Sequence, residues 1–376
     1  MKWETIPADK FCESVRDGTH DTPKPTDNGY KLVTGKHIKN GIIDPADAYY
    51  ISEEDYRKIN ERSLVEQRDV LMSMIGTVGE CAVVKDRPNY AIKNIALFKC
   101  AGSALKGNWL YYYLLSPMAR GHMSGNQKGS SQQFLSLKQL RSLPVLVTEE
   151  QYMQRVVNIL STYDALIENN QKQIKLLGEA AQRLYKEWFV DLRFPGYETA
   201  PIVDGVPEGW KRVSVTDLLD IKYGKDHKKI EDGSIPVYGS GGVMRHVKPI
   251  LYSGESVLIP RKGSLNNILY VAGDFWTIDT MFYSVPRKEN VVKYVYLFLS
   301  SLDMYSFNIG AAVPSMTVKI LDGIQMLFPT RGILERFDAI LTPVFECQRV
   351  LESRSEFARQ ARDRLLPKLM SGELTV

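Results

Sequence analysis

A chain of 376 residues with 44% hydrophobic and 24% charged side chains is long enough for two domains and has the balance of a globular protein, which argues against disorder and membrane insertion. A formal net charge of +4 points only weakly to an anionic partner, and Cys12, Cys81, Cys100 and Cys347 are too scattered for a zinc cluster or a disulfide framework. The opening MKWETIPADKFCESV lacks a basic stretch before an apolar core, and no apolar run approaches the ~20 residues that span a bilayer, so the expected location is the cytoplasm.

Residues 1–148 are expected to form a first globular domain. DVLMSMIGTVGECAVV at 69–84 and NIALFKC at 94–100 are short apolar and β-branched runs punctuated by glycine, as strands of a sheet would be. NWLYYYLLSPMARGHM at 108–123 reads as one helix packed on that sheet, its tyrosines belonging to the core. This region carries about 20 basic and about 16 acidic side chains, so a face for an anion must be local.

Residues 149–192 are expected to be a long helix. Val156, Leu160, Tyr163, Ile167, Asn170, Ile174, Leu177, Ala181, Leu184 and Trp188 alternate steps of four and three, which is a heptad seam that needs a partner helix. Asn170 is either tolerated near an exposed rim or sets register as a polar pair, and Gly178 costs ~1 kcal/mol that close helix contact would offset. The proline- and glycine-rich linker RFPGYETAPIVDGVPEGW at 193–210 ends this helix.

Residues 211–329 are expected to form a second domain, with strands in GESVLIP, NILYVAG and MFYSVP, a helix in VVKYVYLFLSSLDMYSF, and the chain's densest basic cluster in KYGKDHKK at 222–229. In residues 330–376 a second seam, Phe337, Leu341, Val344, Gln348, Leu351, Ser355, Ala358, Arg362, Leu365 and Leu369, is less apolar; Pro343 is expected to kink its start and Arg362 to interrupt its end.

The two halves repeat. AAQRLYKEWF at 180–189 matches ARDRLLPKLM at 361–370, and the same shift lays GSSQQFLSLKQLRSLPVLV over GAAVPSMTVKILDGIQMLF, placing Gly129 on Gly310. Farther upstream the shift drifts, setting Gly76 on Gly263, Asn94 on Asp279, GYKLVTG on GSIPVYG and Trp3 on Trp210. The fold class expected is therefore α+β: two globular modules separated by two long antiparallel helices that form a coiled coil, with approximate two-fold symmetry. Common catalytic signatures are missing: there is no nucleotide-phosphate loop, no H-E-x-x-H helix and no G-x-S-x-G elbow, and His20, His37, His122, His227 and His246 are dispersed.

LRFPGYE followed by DGVPEGW, the stretch LPVLVTEEQYMQRVVNILSTYDALIENNQKQIKLL and the ending RLLPKLMSGEL give the chain a resemblance over its full length to the specificity subunits of type I restriction-modification systems. It departs from the usual pattern where LPVLVTEEQ lacks a proline pair before Glu-Gln and FPTRGILERF lacks the glutamine, differences that affect helix entry. The resemblance implies a noncatalytic protein whose two target recognition domains each read one half of a bipartite, asymmetric DNA site. The helices would set the spacer and dock two methyltransferase subunits, to which restriction subunits are added. No cofactor is expected in this chain; S-adenosylmethionine, ATP and magnesium would belong to the partners, which flip the target adenine.

Base readers would be polar loop residues beside basic residues that hold phosphate. In the first module Lys36, His37, Thr77, Lys128, Ser130, Gln132 and Gln133 are the candidates; in the second, Lys225, His227, Lys228, Ser240, Arg261, Lys262 and Asn266. Arg183 and Arg364, equivalent positions off the seam, are candidates for partner contacts. A tandem-module DNA-binding regulator without methyltransferase partners is the alternative, and a scaffold without duplex binding a further one.

Overall fold

The computed structural model describes residues 2–125, 134–308 and 314–376. Two compact units emerge, one of Met1–Asn169 with Arg354–Val376 and one of Asn170–Ser353. Both divisions fall inside long helices, Glu150–Tyr185 and Arg331–Ser371. Each unit therefore holds a globular module, the first part of the helix that follows that module, and the last part of the other helix. The 193–210 stretch lies within the second unit.

In the first unit an antiparallel sheet runs in the order Ser14–Asp17, Ile95–Lys99, Val70–Ser73, Cys81–Val83. The expected strand region 69–84 is thus a hairpin, turned through Gly76 and Gly79 at φ +77° and +95°, a backbone region that a side chain disfavours. Tyr30–Val33 pairs in parallel with Tyr90–Ile92, and Glu4–Pro7 pairs with Pro144–Val147. The aromatic run is core: Trp109, Tyr112 and Tyr113 are almost wholly buried, Trp109 Nε1 donates to the Leu146 carbonyl at 2.8 Å, and Tyr113 donates to that of Pro144. The single helix expected over 108–123 is two, Ala104–Leu115 and Pro117–Gly125. Pro117 holds Ser116 in an extended conformation and cannot donate to the preceding turn.

The second unit repeats this order strand for strand: Leu219–Tyr223, Met281–Pro286, Tyr252–Pro260, Leu269–Thr277. The sheet continues into Asp232–Gly239, which joins in parallel, and Gly242–Val247. Lys211–Ser214 pairs with Gln325–Phe328 as Glu4–Pro7 pairs with Pro144–Val147. Tyr294, on the helix Val292–Ser300, donates to the Leu327 carbonyl, the counterpart of the Leu146 carbonyl that Trp109 caps. Ser136 and Thr317 cap the matching short helices Leu137–Arg141 and Val318–Gly323. Lys293, almost wholly buried, bridges Glu255 at 2.6 Å and Asp338 at 3.1 Å, tying sheet, helix and long helix together.

Within each unit the long-helix segments run antiparallel. In the first, Tyr152 donates to the Leu369 carbonyl at 3.0 Å, and farther along Arg362 pairs with Asp164 at 2.5 Å. In the second, Gln348 Nε2 donates to the Ile174 carbonyl at 3.0 Å, and Trp188 packs against Phe337 with ring centroids 5.6 Å apart. No residue of either seam is exposed. Arg362 does not break the seam, because Asp164 neutralises it there. Asn170 is only 3% exposed, which removes the rim reading, and its Nδ2 has no hydrogen-bond partner. The helix assignment runs unbroken through Pro343. A Cβ on Gly178 would stand 3.4 Å from Gln348 Nε2, the close approach expected there. Among the described residues no helix is long and apolar enough to cross a membrane.

Candidate nucleic-acid interface

Strand pairing places several loops of each module at one end of its sheets. In the first unit Asp17 faces Ala96, Ser73 faces Ile95 and Val33 faces Ile92, so the segments starting at Gly18, Thr34, Met74 and Lys93 emerge together. Ile75 bridges Phe134, which brings the segment after 133 to the same end. In the second unit Tyr223 faces Phe282, Pro260 faces Met281 and Tyr238 faces Thr277. The segments from Gly224, Ser240, Arg261 and Ile278 then gather as their counterparts do, and Lys262 bridges Ser315 just as Ile75 bridges Phe134.

Glycine makes both clusters possible. A Cβ on Gly18 would come within 2.3 Å of the Ile92 carbonyl oxygen, and one on Gly224 within 2.0 Å of that of Ile278. Only glycine lets the first strand of either sheet turn so closely beneath its neighbour. Gly76 and Gly263, aligned by the repeat, both have positive φ in the equivalent loop, +77° and +88°.

The expected second-module residues converge on this end. Lys225 donates through its backbone to the Thr277 carbonyl at 2.8 Å, and its own carbonyl accepts from Trp276 Nε1 at 3.1 Å, leaving the ammonium exposed. Lys228 and Lys262 are exposed, and Ser240 is half-buried with its carbonyl accepting from Asn267 Nδ2 at 2.8 Å. Arg261 lies 5.3 Å from the Tyr223 ring centroid and donates to the Asp279 carbonyl at 3.2 Å, a guanidinium held by two neighbours yet still partly accessible. His227 is half-buried with Nδ1 enclosed and unpartnered. Asn266 is exposed; its Nδ2 donates to Asp303 at 3.1 Å and its Oδ1 accepts from the Met304 amide at 2.7 Å. These bonds tie its amide to the loop and leave one N–H and one oxygen lone pair unused.

In the first module Lys36 and Thr77 are exposed on the loop end, Lys36 within 3.4 Å of Asp47. His37 is corrected. Its side chain is 2% exposed, Nδ1 accepts from the Thr34 amide at 2.8 Å, and burial pushes the imidazole below its ordinary pKa. It builds the turn after Val33 and presents nothing to a ligand. Lys128, Ser130, Gln132 and Gln133 lie outside the described residues. Sequence reading missed the loop after Gly18, where His20 meets Asn94 and Thr22 meets Lys93; its counterpart is the recognised KYGKDHKK cluster, so the repeat itself was the available signal.

The model of the type I restriction modification DNA specificity domain matches residues 1–178 and again 207–350, most of the chain and both modules. The chain belongs to this family. Among DNA specificity proteins of the type I systems, it is 23% identical to the type I restriction enzyme MjaIX specificity subunit of Methanocaldococcus jannaschii over 87% of this chain and 84% of that one. The putative type I restriction enzyme MjaX specificity subunit of the same organism is 21% identical, over 100% of this chain and 94% of the other. The crystal structure of the type I restriction-modification system S subunit from M. genitalium shares the fold at a TM-score of 0.57 and 16% identity, covering 98% of this chain and 96% of that one.

Off the seam, Arg183 and Arg364 are both exposed. So are the equivalent apolar residues Leu176 and Phe357, 63% and 69% accessible. Among the described residues no group of three or more histidine, cysteine, aspartate or glutamate side chains could hold a metal ion.

Proposed function

We propose that this chain is the noncatalytic specificity subunit of a type I restriction-modification complex, each module reading one half of a bipartite, asymmetric DNA site. What carries the reading is a family match falling on two modules that bring equivalent loops to the same end of equivalent sheets. Lys36, Thr77, Lys225, His227, Lys228, Ser240, Arg261, Lys262 and Asn266 are the described candidates for phosphate and base contacts, and exposed lysines suit phosphate better than bases. The paired helices set the unspecified spacer. Their repeated outer positions, Arg183 with Leu176 and Arg364 with Phe357, dock two copies of one methyltransferase subunit, which carry S-adenosylmethionine; restriction subunits bring ATP and magnesium.

Sequencing that detects methylated adenine across the source genome, before and after deletion of this gene, tests the reading. Loss of one bipartite methylated motif is expected. An unchanged methylation pattern in a strain that expresses its methyltransferase partner would overturn it.

A further inference from the structure

Asn94 sits in the two-residue turn between Tyr90–Ile92 and Ile95–Lys99, at φ +54° and at the loop end of the first module. Its backbone N–H donates to the Thr19 carbonyl at 3.1 Å. Such a φ suits asparagine, and turn geometry would be enough to explain the residue type. It does not explain the side chain. Asn94 Oδ1 lies 2.8 Å from His20 Nδ1, and the other ring nitrogen of His20 is 3.0 Å from Asp17 Oδ2. Asp17, only 5% exposed, is gripped through its other oxygen by Arg62 from the helix Glu53–Ser63. A relay of three side chains thus fixes an amide at the tip of a turn while the His20 ring remains 62% exposed.

We propose that Asn94 reads an adenine in the first half-site, with His20, Asp17 and Arg62 as positioning residues; this rests on the DNA-specificity reading above. An amide recognises adenine by accepting from N6 and donating to N7 in the major groove. Whichever way the Asn94 amide is turned, the imidazole engages one of its atoms, and the outer edge keeps one donor and one acceptor. The adjacent cation fits the same surface: Lys93, next in sequence to Asn94 and hydrogen-bonded to Thr22, supplies a charge suited to a flanking phosphate. Holding the amide beforehand removes the rotamer freedom that binding would otherwise have to freeze.

The test is selection of duplexes from a randomised pool by the full chain with its methyltransferase partner, followed by sequencing of the bound fraction. Asn94→Gly keeps the positive-φ turn without a side chain. It is expected to lose preference for one adenine by on the order of tenfold to a hundredfold, with every other position unchanged. Asn94→Asp, which also tolerates this φ, is expected to move that position toward cytosine, because a carboxylate accepts from N4. His20→Ala should weaken discrimination at the same position and add nothing in the Asn94→Gly background, whereas His20→Gln, which retains a donor, should restore part of it. An enriched word for the unaltered protein that both Asn94 variants reproduce would refute the role of Asn94 and leave the specificity reading standing. Failure of the unaltered protein to enrich any word would remove both.

Discussion

Arg261 and His37 were both expected to touch DNA, and their surroundings separate them. Arg261 stays partly accessible between Tyr223 and the Asp279 carbonyl, a posture from which a guanidinium can reach the O6 and N7 of guanine. Arg261→Ala should relax one position of the second half-site by about 1–3 kcal/mol; uniform weakening on all duplexes would identify a phosphate contact instead. His37 is buried, and burial is the largest influence on its proton affinity, outweighing the opposing pull of Asp47. A folded-state pKa below the unfolded value means that the unfolded chain takes up the proton first as pH falls. Stability from this group is therefore complete above about 6.5 and declines below it. Urea midpoints measured from pH 7.5 down to 5.5 should fall less steeply for His37→Gln than for the unaltered protein, and parallel curves would contradict this linkage. Nothing in the local sequence separates these two residues, because burial depends on strands that meet across long separations.

At the scale of elements, the long helices were the most legible part of the chain: alternating steps of three and four marked both seams, including polar Gln348 and Ser355. The glycine-punctuated strand runs around Gly76 and Gly263 could also be read, since the repeat sets one glycine on the other; that they form hairpins could not. Strand order could not be, because Ser14–Asp17 lies beside Ile95–Lys99, some eighty residues on. The His20–Asn94 contact was hidden for the same reason, and the helix expected over 108–123 failed because Pro117 outweighed the apolar pattern. The Arg362–Asp164 pair is largely shielded from water, and Tyr112 also donates to Asp164 at 2.7 Å. Arg362→Ala should lower unfolding free energy by about 2 kcal/mol, with partial recovery on adding Asp164→Asn; an unmoved denaturation midpoint would show the pair to be energetically idle. On the outer faces, Leu176→Asp combined with Phe357→Asp should abolish co-purification with the methyltransferase subunit while leaving the far-ultraviolet spectrum intact. Retention of the complex would move docking elsewhere.

For the whole molecule, duplex binding should weaken steeply with salt, since each phosphate neutralised by a lysine or arginine releases counterions; a flat dependence between 50 and 200 mM, the range over which six to ten contacts cost about 10³–10⁵ in affinity, would favour a protein-binding scaffold. Four residues inserted into both long helices, near Asn170 and in the antiparallel partner, add ~6 Å. That should lengthen the unspecified spacer by about one or two base pairs, and an unchanged methylated motif would show that the helices do not set it. One more property follows from the first unit, which takes residues from both ends of the chain. A methyl group on Gly372 would come within 2.7 Å of the Trp3 indole nitrogen, the Lys2 carbonyl accepts from Thr148, and that of Leu374 accepts from Tyr152. Beginning and end thus share a single hydrophobic anchorage. In mechanical terms the stretch after Gly372 is a clasp on the core of the first unit, fastened by residues far away in sequence.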